Sequence, residues 1–256
     1  MLLSLRRAGL SWLTIVGVVA GASVASAVTT LTFENLANGE AGPYTYVTVD
    51  GTVNITADVP PPGNHLGLAA FDSDPAGPNA AGGDPDLLVD TGMILILQNN
   101  NLPNKTGNNF DTPDDDENGG MFGFTFDTPV TLQSVDLVDV NGSGQMTTVT
   151  LTDTALNTRT YDVPDDWTGD IDQGDVGIGT LDLTTLLAQA GVGPGNPLAT
   201  VSEDAGFDAS LVQSLEINFM GSAGLDNLSF VPEPSTALML AMGLIGLAAN
   251  GSRRRS

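Results

Sequence analysis

Apolar residues recur along the chain in short runs with a period of two, separated by clusters of Gly, Pro, Asn and Asp. That is the pattern of strands joined by turns. Val47-Thr48-Val49, Asp50-Gly51 and Thr52-Val53-Asn54-Ile55 predict a hairpin, because Asp-Gly tolerates the positive φ of a tight turn. Met93 to Leu97 is continuously apolar and suits a strand buried on both faces. Met121 to Phe126 alternates and puts Phe122, Phe124 and Phe126 on one face. Leu132, Val135, Leu137, Val138 and Val140 mark another strand, and Val149 to Leu151 with Thr160 to Val163 a further pair. Leu211 to Phe219 and Leu225 to Val231 predict the last two. One short helix is expected over Leu181 to Ala190, capped by Asp182 or Thr184. Two long loops are expected, Asp58 to Asp86 and Asn99 to Gly120. The expected fold is all-β, an antiparallel β-sandwich or jelly roll, flanked by an N-terminal signal helix and a C-terminal hydrophobic helix.

The two ends break this pattern. Arg6 and Arg7 precede an apolar stretch from Ala8 to Ala22, and Ala25-Ser26-Ala27 follows as an A-x-A cleavage site. The order of these parts predicts a signal peptide over residues 1–27, cut by signal peptidase between Ala27 and Val28. The residues after the Arg pair fit the twin-arginine motif poorly, which favours the general secretory route. At the other end, Pro232-Glu233-Pro234 is expected to break regular structure. Ser235 to Ala249 is then uncharged and mostly apolar, and Arg253, Arg254 and Arg255 follow. An apolar run of about 15 residues is shorter than the ~20 of a usual span. The arginines would stay on the cytoplasmic side. The segment is expected to be a temporary transmembrane anchor, and the predicted organisation is signal peptide 1–27, β-sandwich 28–230 and sorting signal 231–256.

Charge separates the body from its ends. Of 31 carboxylates only Glu233 lies outside residues 28–231, and of seven cations only Lys105 and Arg159 lie inside, a net charge of about −28. Such a surface repels nucleic acid and anionic lipid. Membrane contact is therefore expected only through the signal and C-terminal segments. The same charge attracts divalent cations or simply keeps the domain soluble. There is no cysteine, which excludes disulfides, thiolate metal sites and cysteine nucleophiles.

Val231-Pro232-Glu233-Pro234-Ser235-Thr236, the apolar run and the terminal arginines resemble a PEP-CTERM sorting signal. The resemblance implies an exosortase, a membrane transpeptidase-like enzyme, as the partner that processes Pro232, Glu233 and Pro234. It also implies delivery to the cell surface, outer membrane or extracellular matrix of a Gram-negative bacterium that makes exopolysaccharide. Separately, the body is similar in layout to jelly-roll carbohydrate-binding modules. In that family an early acidic residue and an Asp of the final strand hold a structural calcium, which implies Glu34 and Asp226 as ligands here.

Three places could gather the six to eight oxygen ligands that calcium takes. They are Glu34 with Asp226, helped by Asp84 and Asp86; Asp72 with Asp74; and the run Asp114-Asp115-Asp116-Glu117-Asn118-Gly119. The last lacks the alternate spacing of an EF-hand. At each place a solvated acidic turn is the rival explanation.

Catalytic signals are few. His65 is the single histidine and lies in a Pro-Gly loop, and neither a G-x-S-x-G nor an H-E-x-x-H motif occurs. Trp167, flanked by Asp165 and Asp166, is either an exposed stacking face for a sugar or a loop residue folded onto the core. The expectation is a non-enzymatic, exported surface or matrix protein that binds exopolysaccharide, with calcium as its cofactor. The alternatives are a carbohydrate-binding module with a defined sugar site and a secreted glycoside hydrolase.

Overall fold

Even-numbered positions from Phe122 to Leu132 are buried almost without exception while their neighbours face outward, and this alternation runs through one 19-residue strand. In the computed structural model, which describes residues 27–49, 51–58, 66–81, 84–99, 104–140, 144–171 and 174–233, that strand is β8 (Gly120–Val138). Before it come β1 (Thr29–Leu31), β2 (Tyr44–Thr48), β3 (Gly51–Asp58), β4 (Leu68–Asp72), β5 (Met93–Leu97), β6 (Lys105–Thr106) and β7 (Asn109–Phe110). After it come β9 (Thr147–Asp153), β10 (Thr158–Val163), β11 (Ile178–Asp182), β12 (Gln189–Ala190), β13 (Leu198–Glu203), β14 (Val212–Phe219) and β15 (Gly224–Pro232). Thirteen of them form a single hydrogen-bonded antiparallel sheet, and β6 and β7 make a separate pair. The described residues are all-β.

The expected break between Phe126 and Leu132 does not occur; β8 continues and changes partners instead. Met121 to Phe126 pair with β3, and Gly120 to Thr125 with β14. Val130 to Val138 pair with β15, and Ser134 to Val138 also with β11. The exchange falls around Pro129, whose nitrogen has no hydrogen to give the ladder. A second irregularity follows, where Ser134 pairs with Ser229 but Asp136 with Asp226. Asn227 sits at this bulge with φ of 48°, a left-handed conformation that Asn adopts more readily than most residues. Past it the buried positions of β8 change to Val135 and Leu137.

The principal core draws on both halves of β8: Phe122, Phe124 and Phe126 pack with Val135, Leu137, Leu215, Ile217, Leu225 and Phe230. Each such side chain contributes about 1.5–3 kcal/mol when fully buried. β5 is buried on both faces, as its unbroken apolar run predicts. Met93, Leu95 and Leu97 face the principal core. Ile94 and Ile96 face a second, smaller one with Phe71, Leu87, Phe110 and Val138. A 3-10 turn, Pro85–Leu87, drops Leu87 into that second core.

Several expectations need correcting. Leu181 to Ala190 is not a helix: Leu181 ends up in β11, Gln189 and Ala190 form β12, and Leu186 and Leu187 are exposed. Asp182 does cap, but it caps a turn, its Oδ1 accepting from the backbone N and hydroxyl of Thr184. The loop 58–86 contains β4, and the loop 99–120 contains β6 and β7. β15 does end within the Pro232-Glu233-Pro234 motif, with Pro232 as its last residue. The two expected terminal helices, the Ala8 to Ala22 and Ser235 to Ala249 stretches, lie outside the described residues, as do His65 and Pro234. Among the described residues no helix is long and apolar enough to cross a membrane.

Candidate functional site

The 3-10 turn begins with Asp84, whose Oδ1 accepts the backbone N–H of Asp86. The turn brings the Asp86 carboxylate near Asp139 and that of Asp84 against the segment that follows β7. There Asn99 N–H donates to the carbonyl of Asp114, and Gln98 and Asp115 form a β-bridge. The result is a cluster in which carboxylate oxygens of Asp84, Asp114 and Asp115 all lie within 4.8 Å of one another. Asp115 is buried; its Oδ2 accepts from Ser222 Oγ and from the backbone N–H of Ala223 at 2.6 Å. Ser222 Oγ also reaches Asp139 Oδ2 at 3.1 Å. Asp139 follows β8 directly, in a left-handed conformation with φ of 48°, and is 0% exposed.

Asp114, Asp115 and Asp139 all have raised pKa values. Burial, followed by the charge of Asp84, pushes Asp115 well above the usual carboxylate range. Burial and then the charge of Asp86 push Asp139 up to about 7. Asp114 is raised by burial and by Asp84. Among the described residues the one ion pair is Arg159 with Glu203, on β10 and β13, and Lys105 lies over the Phe110 ring. The cluster therefore has no basic side chain set against it there. Buried like charges are tolerated only if protonated or matched by a cation.

Glu34 and Asp226 come together at a different place. β1 pairs with β15, Leu31 opposite Leu228, which carries Glu34 to the β15 bulge. Glu34 Oε1 accepts the backbone N–H of Met93 at 3.1 Å. Asp226 is 1% exposed. Its pKa is raised to about 7, first by burial; the bond from the Asn227 N–H lowers it, and the charges of Asp136 and Glu34 raise it. The four candidate ligands named together from the sequence thus divide: Glu34 stands with Asp226, whereas Asp84 and Asp86 stand with Asp114, Asp115 and Asp139. Asp139 and Ser222 were not singled out in the sequence. The available signal was an Asp set between Val138 and Val140 in an otherwise apolar run.

The remaining candidates serve the backbone. Asp72 Oδ1 accepts from Asp74 N–H, and Asp74 Oδ1 from Ala76 N–H. Asp116 Oδ1 accepts from the backbone and side-chain nitrogens of Asn118, and Glu117 is exposed. Trp167 is 2% exposed, with its Nε1–H donated to the Gln189 carbonyl. Its ring is covered so closely by Gly179 and Gly191 that a Cβ at either would lie 2.7 Å from it. No open stacking face remains. Ala27 and Val28 are exposed, immediately before β1.

At the opposite end of the chain, Pro232 is buried and opposite Val130. Glu233 follows, its N–H donated to the Pro129 carbonyl at 3.3 Å and its Oε1 accepting from Thr131 Oγ1 at 3.4 Å. No curated protein matches the chain. Residues 230–255 match the PEP-CTERM protein-sorting motif, which marks the chain as an exported, cell-envelope-associated protein that exosortase sorts.

Proposed function

We propose that this is a non-enzymatic surface or matrix protein. Its β-sandwich body carries a divalent cation at the Asp84–Asp114–Asp115 cluster and associates with exopolysaccharide through its anionic surface. The observation that carries the reading is the approach of three carboxylates within 4.8 Å, one of them buried, with no basic side chain against them among the described residues. The donors are all oxygen, the chemistry of calcium. Asp84, Asp114 and Asp115 would hold the ion, and Asp139 and Ser222 would support Asp115 from behind. A bound cation would tie the 84–89 turn to the 111–119 segment. The sandwich architecture is supported by the partner exchange along β8, which lets both halves of one strand contribute to the same core.

Raised carboxyl groups are also what acid catalysis uses. Accessibility favours the cation: Asp139 is 0% exposed and Asp115 4%, so an ion can be enclosed there but a sugar ring cannot reach them. The sugar-module reading loses its one tryptophan to the core. The test is retention of residues 28–233 on the host's exopolysaccharide in calcium and in EDTA, with calorimetric titration of calcium alongside. Calcium binding with calcium-dependent retention supports both parts. Heatless titration with unchanged retention removes the cation from the reading.

A further inference from the structure

The sorting motif and the folded body overlap. The motif match begins at Phe230, yet β15 continues through Pro232, with Phe230 opposite Leu132, Val231 opposite Thr131 and Pro232 opposite Val130. Glu233 is then tied to Pro129 and Thr131. The first residues of the matched sorting motif are therefore residues of the sheet. Proteins that take an extended segment use its main-chain N–H and C=O groups and its alternate side chains, and here both are engaged with β8.

The strength of this engagement changes abruptly at Phe230. At Ser229 and Phe230 β15 is flanked on both sides, by β8 and by β1, whose Thr29 pairs with Phe230. Phe230 is 2% exposed and meets Phe126 edge-on at 5.5 Å between centroids. Beyond it, among the described strands, the chain pairs with β8 alone. Pro232 has no N–H to contribute. The two bonds of Glu233, at 3.3 and 3.4 Å, are long against the usual 2.9–3.0 Å. An end held on one side, with a proline in it, opens far more readily than the two-sided strand before it.

We propose that Val231 to Glu233 form a latch: they close onto β8 in the folded body, and exosortase gains the Pro-Glu part of its motif only when they peel away, with Phe230 as the fixed point. This rests on the sorting reading above and adds that the folded sheet sets the pace of processing.

The absence of native cysteine makes a direct test possible in the oxidising compartment outside the cytoplasm. The full-length chain is expressed in an exosortase-bearing host with Thr131→Cys and Val231→Cys, which face one another across the pair. A second clamp, Thr150→Cys with Thr160→Cys, joins β9 to β10 far from the latch in sequence, at positions whose hydroxyls lie 3.2 Å apart. Non-reducing gels report each bridge, and loss of the tail is followed by intact mass. The latch predicts at least ten-fold slower tail loss for the bridged 131–231 variant, recovery on reduction, and wild-type processing of the bridged 150–160 variant. Wild-type processing of the bridged 131–231 variant overturns the latch and leaves sorting intact, as does equal slowing by both clamps. A wild-type chain that keeps its tail in that host but behaves no differently when exosortase is deleted overturns the sorting reading, and the latch with it.

Discussion

Asp84 and Asp115 reach one another from different segments, one from the 3-10 turn ahead of β5 and one from the bridge after β7, and their carboxylates share the center of the acidic cluster. Burial and then the charge of Asp84 raise the cost of ionising Asp115. Replacing one of them should therefore stabilise the metal-free protein while removing its response to the ion. Asp115→Asn keeps an oxygen for Ser222 and the Ala223 N–H. In EDTA it is expected to gain roughly 1–2 kcal/mol, or about 2–8 °C. Wild type in calcium at 100 times its Kd gains about 2.7 kcal/mol, and Asp115→Asn should lose most of that. Scanning fluorimetry in EDTA and in calcium measures both. A variant less stable in EDTA that still responds to calcium contradicts the cluster as a cation site.

Two other buried carboxyls set a pH dependence of unusual sign. Asp139 and Asp226 are each raised to about 7, whereas an unfolded Asp titrates near 3.9. Between those values the folded state holds more protons than the unfolded one, so stability falls as pH rises. In EDTA the thermal midpoint should climb on acidification from pH 7.5 to about 5. Calcium should flatten the profile, adding most at pH 7.5 and least at pH 5, where protons compete with the ion for the raised carboxyls of Asp114 and Asp115. A midpoint in EDTA that falls steadily below pH 7 would show that these carboxyls are not ionised at a cost.

Gly92 guards the second acidic place. Its φ is 90°, and a Cβ there would lie 2.2 Å from Glu34 Oε1. Gly92→Ala should push Glu34 off the Met93 N–H and cost about 1–3 kcal/mol. Chemical denaturation measures the loss, and Gly67→Ala, also at positive φ but with nothing within 4 Å of its Cβ, separates backbone strain from the collision.

Trp167→Ala is expected to act on folding rather than on recognition. Its indole fills the space between Gly179 and Gly191, and truncating a buried Trp costs about 3–5 kcal/mol. The midpoint should drop sharply, whereas retention on exopolysaccharide by the still-folded fraction should match wild type. Selective loss of retention at unchanged stability would restore a sugar-binding role to this residue.

Strand positions were largely legible in the sequence, because alternation is a local property. Phe122, Phe124 and Phe126 announce their shared face through their own spacing, and Met93 to Leu97 announces burial on both sides. The false helix at Leu181 to Ala190 arose where leucines and polar residues mimic a helical period; β11 pairing with β8 outweighed that local preference. β4 escaped notice because Leu68-Ala69-Ala70-Phe71 is short and lies within a stretch rich in Pro and Gly.

By itself the sequence determined the exported, sorted character of the chain, its all-β nature and its anionic surface. Each of these rests on residues close together in the chain or on simple charge. Which of the 31 carboxylates stand together was decided only by tertiary structure. The pairing of β1 with β15 brought Glu34 to Asp226, while the turn at Pro85 and the bridge at Asp115 drew Asp84 away from them. Only the tertiary structure, too, shows the sorting motif entering the last strand. Register depends on every strand that packs into the common core, and no short stretch of sequence contains that information.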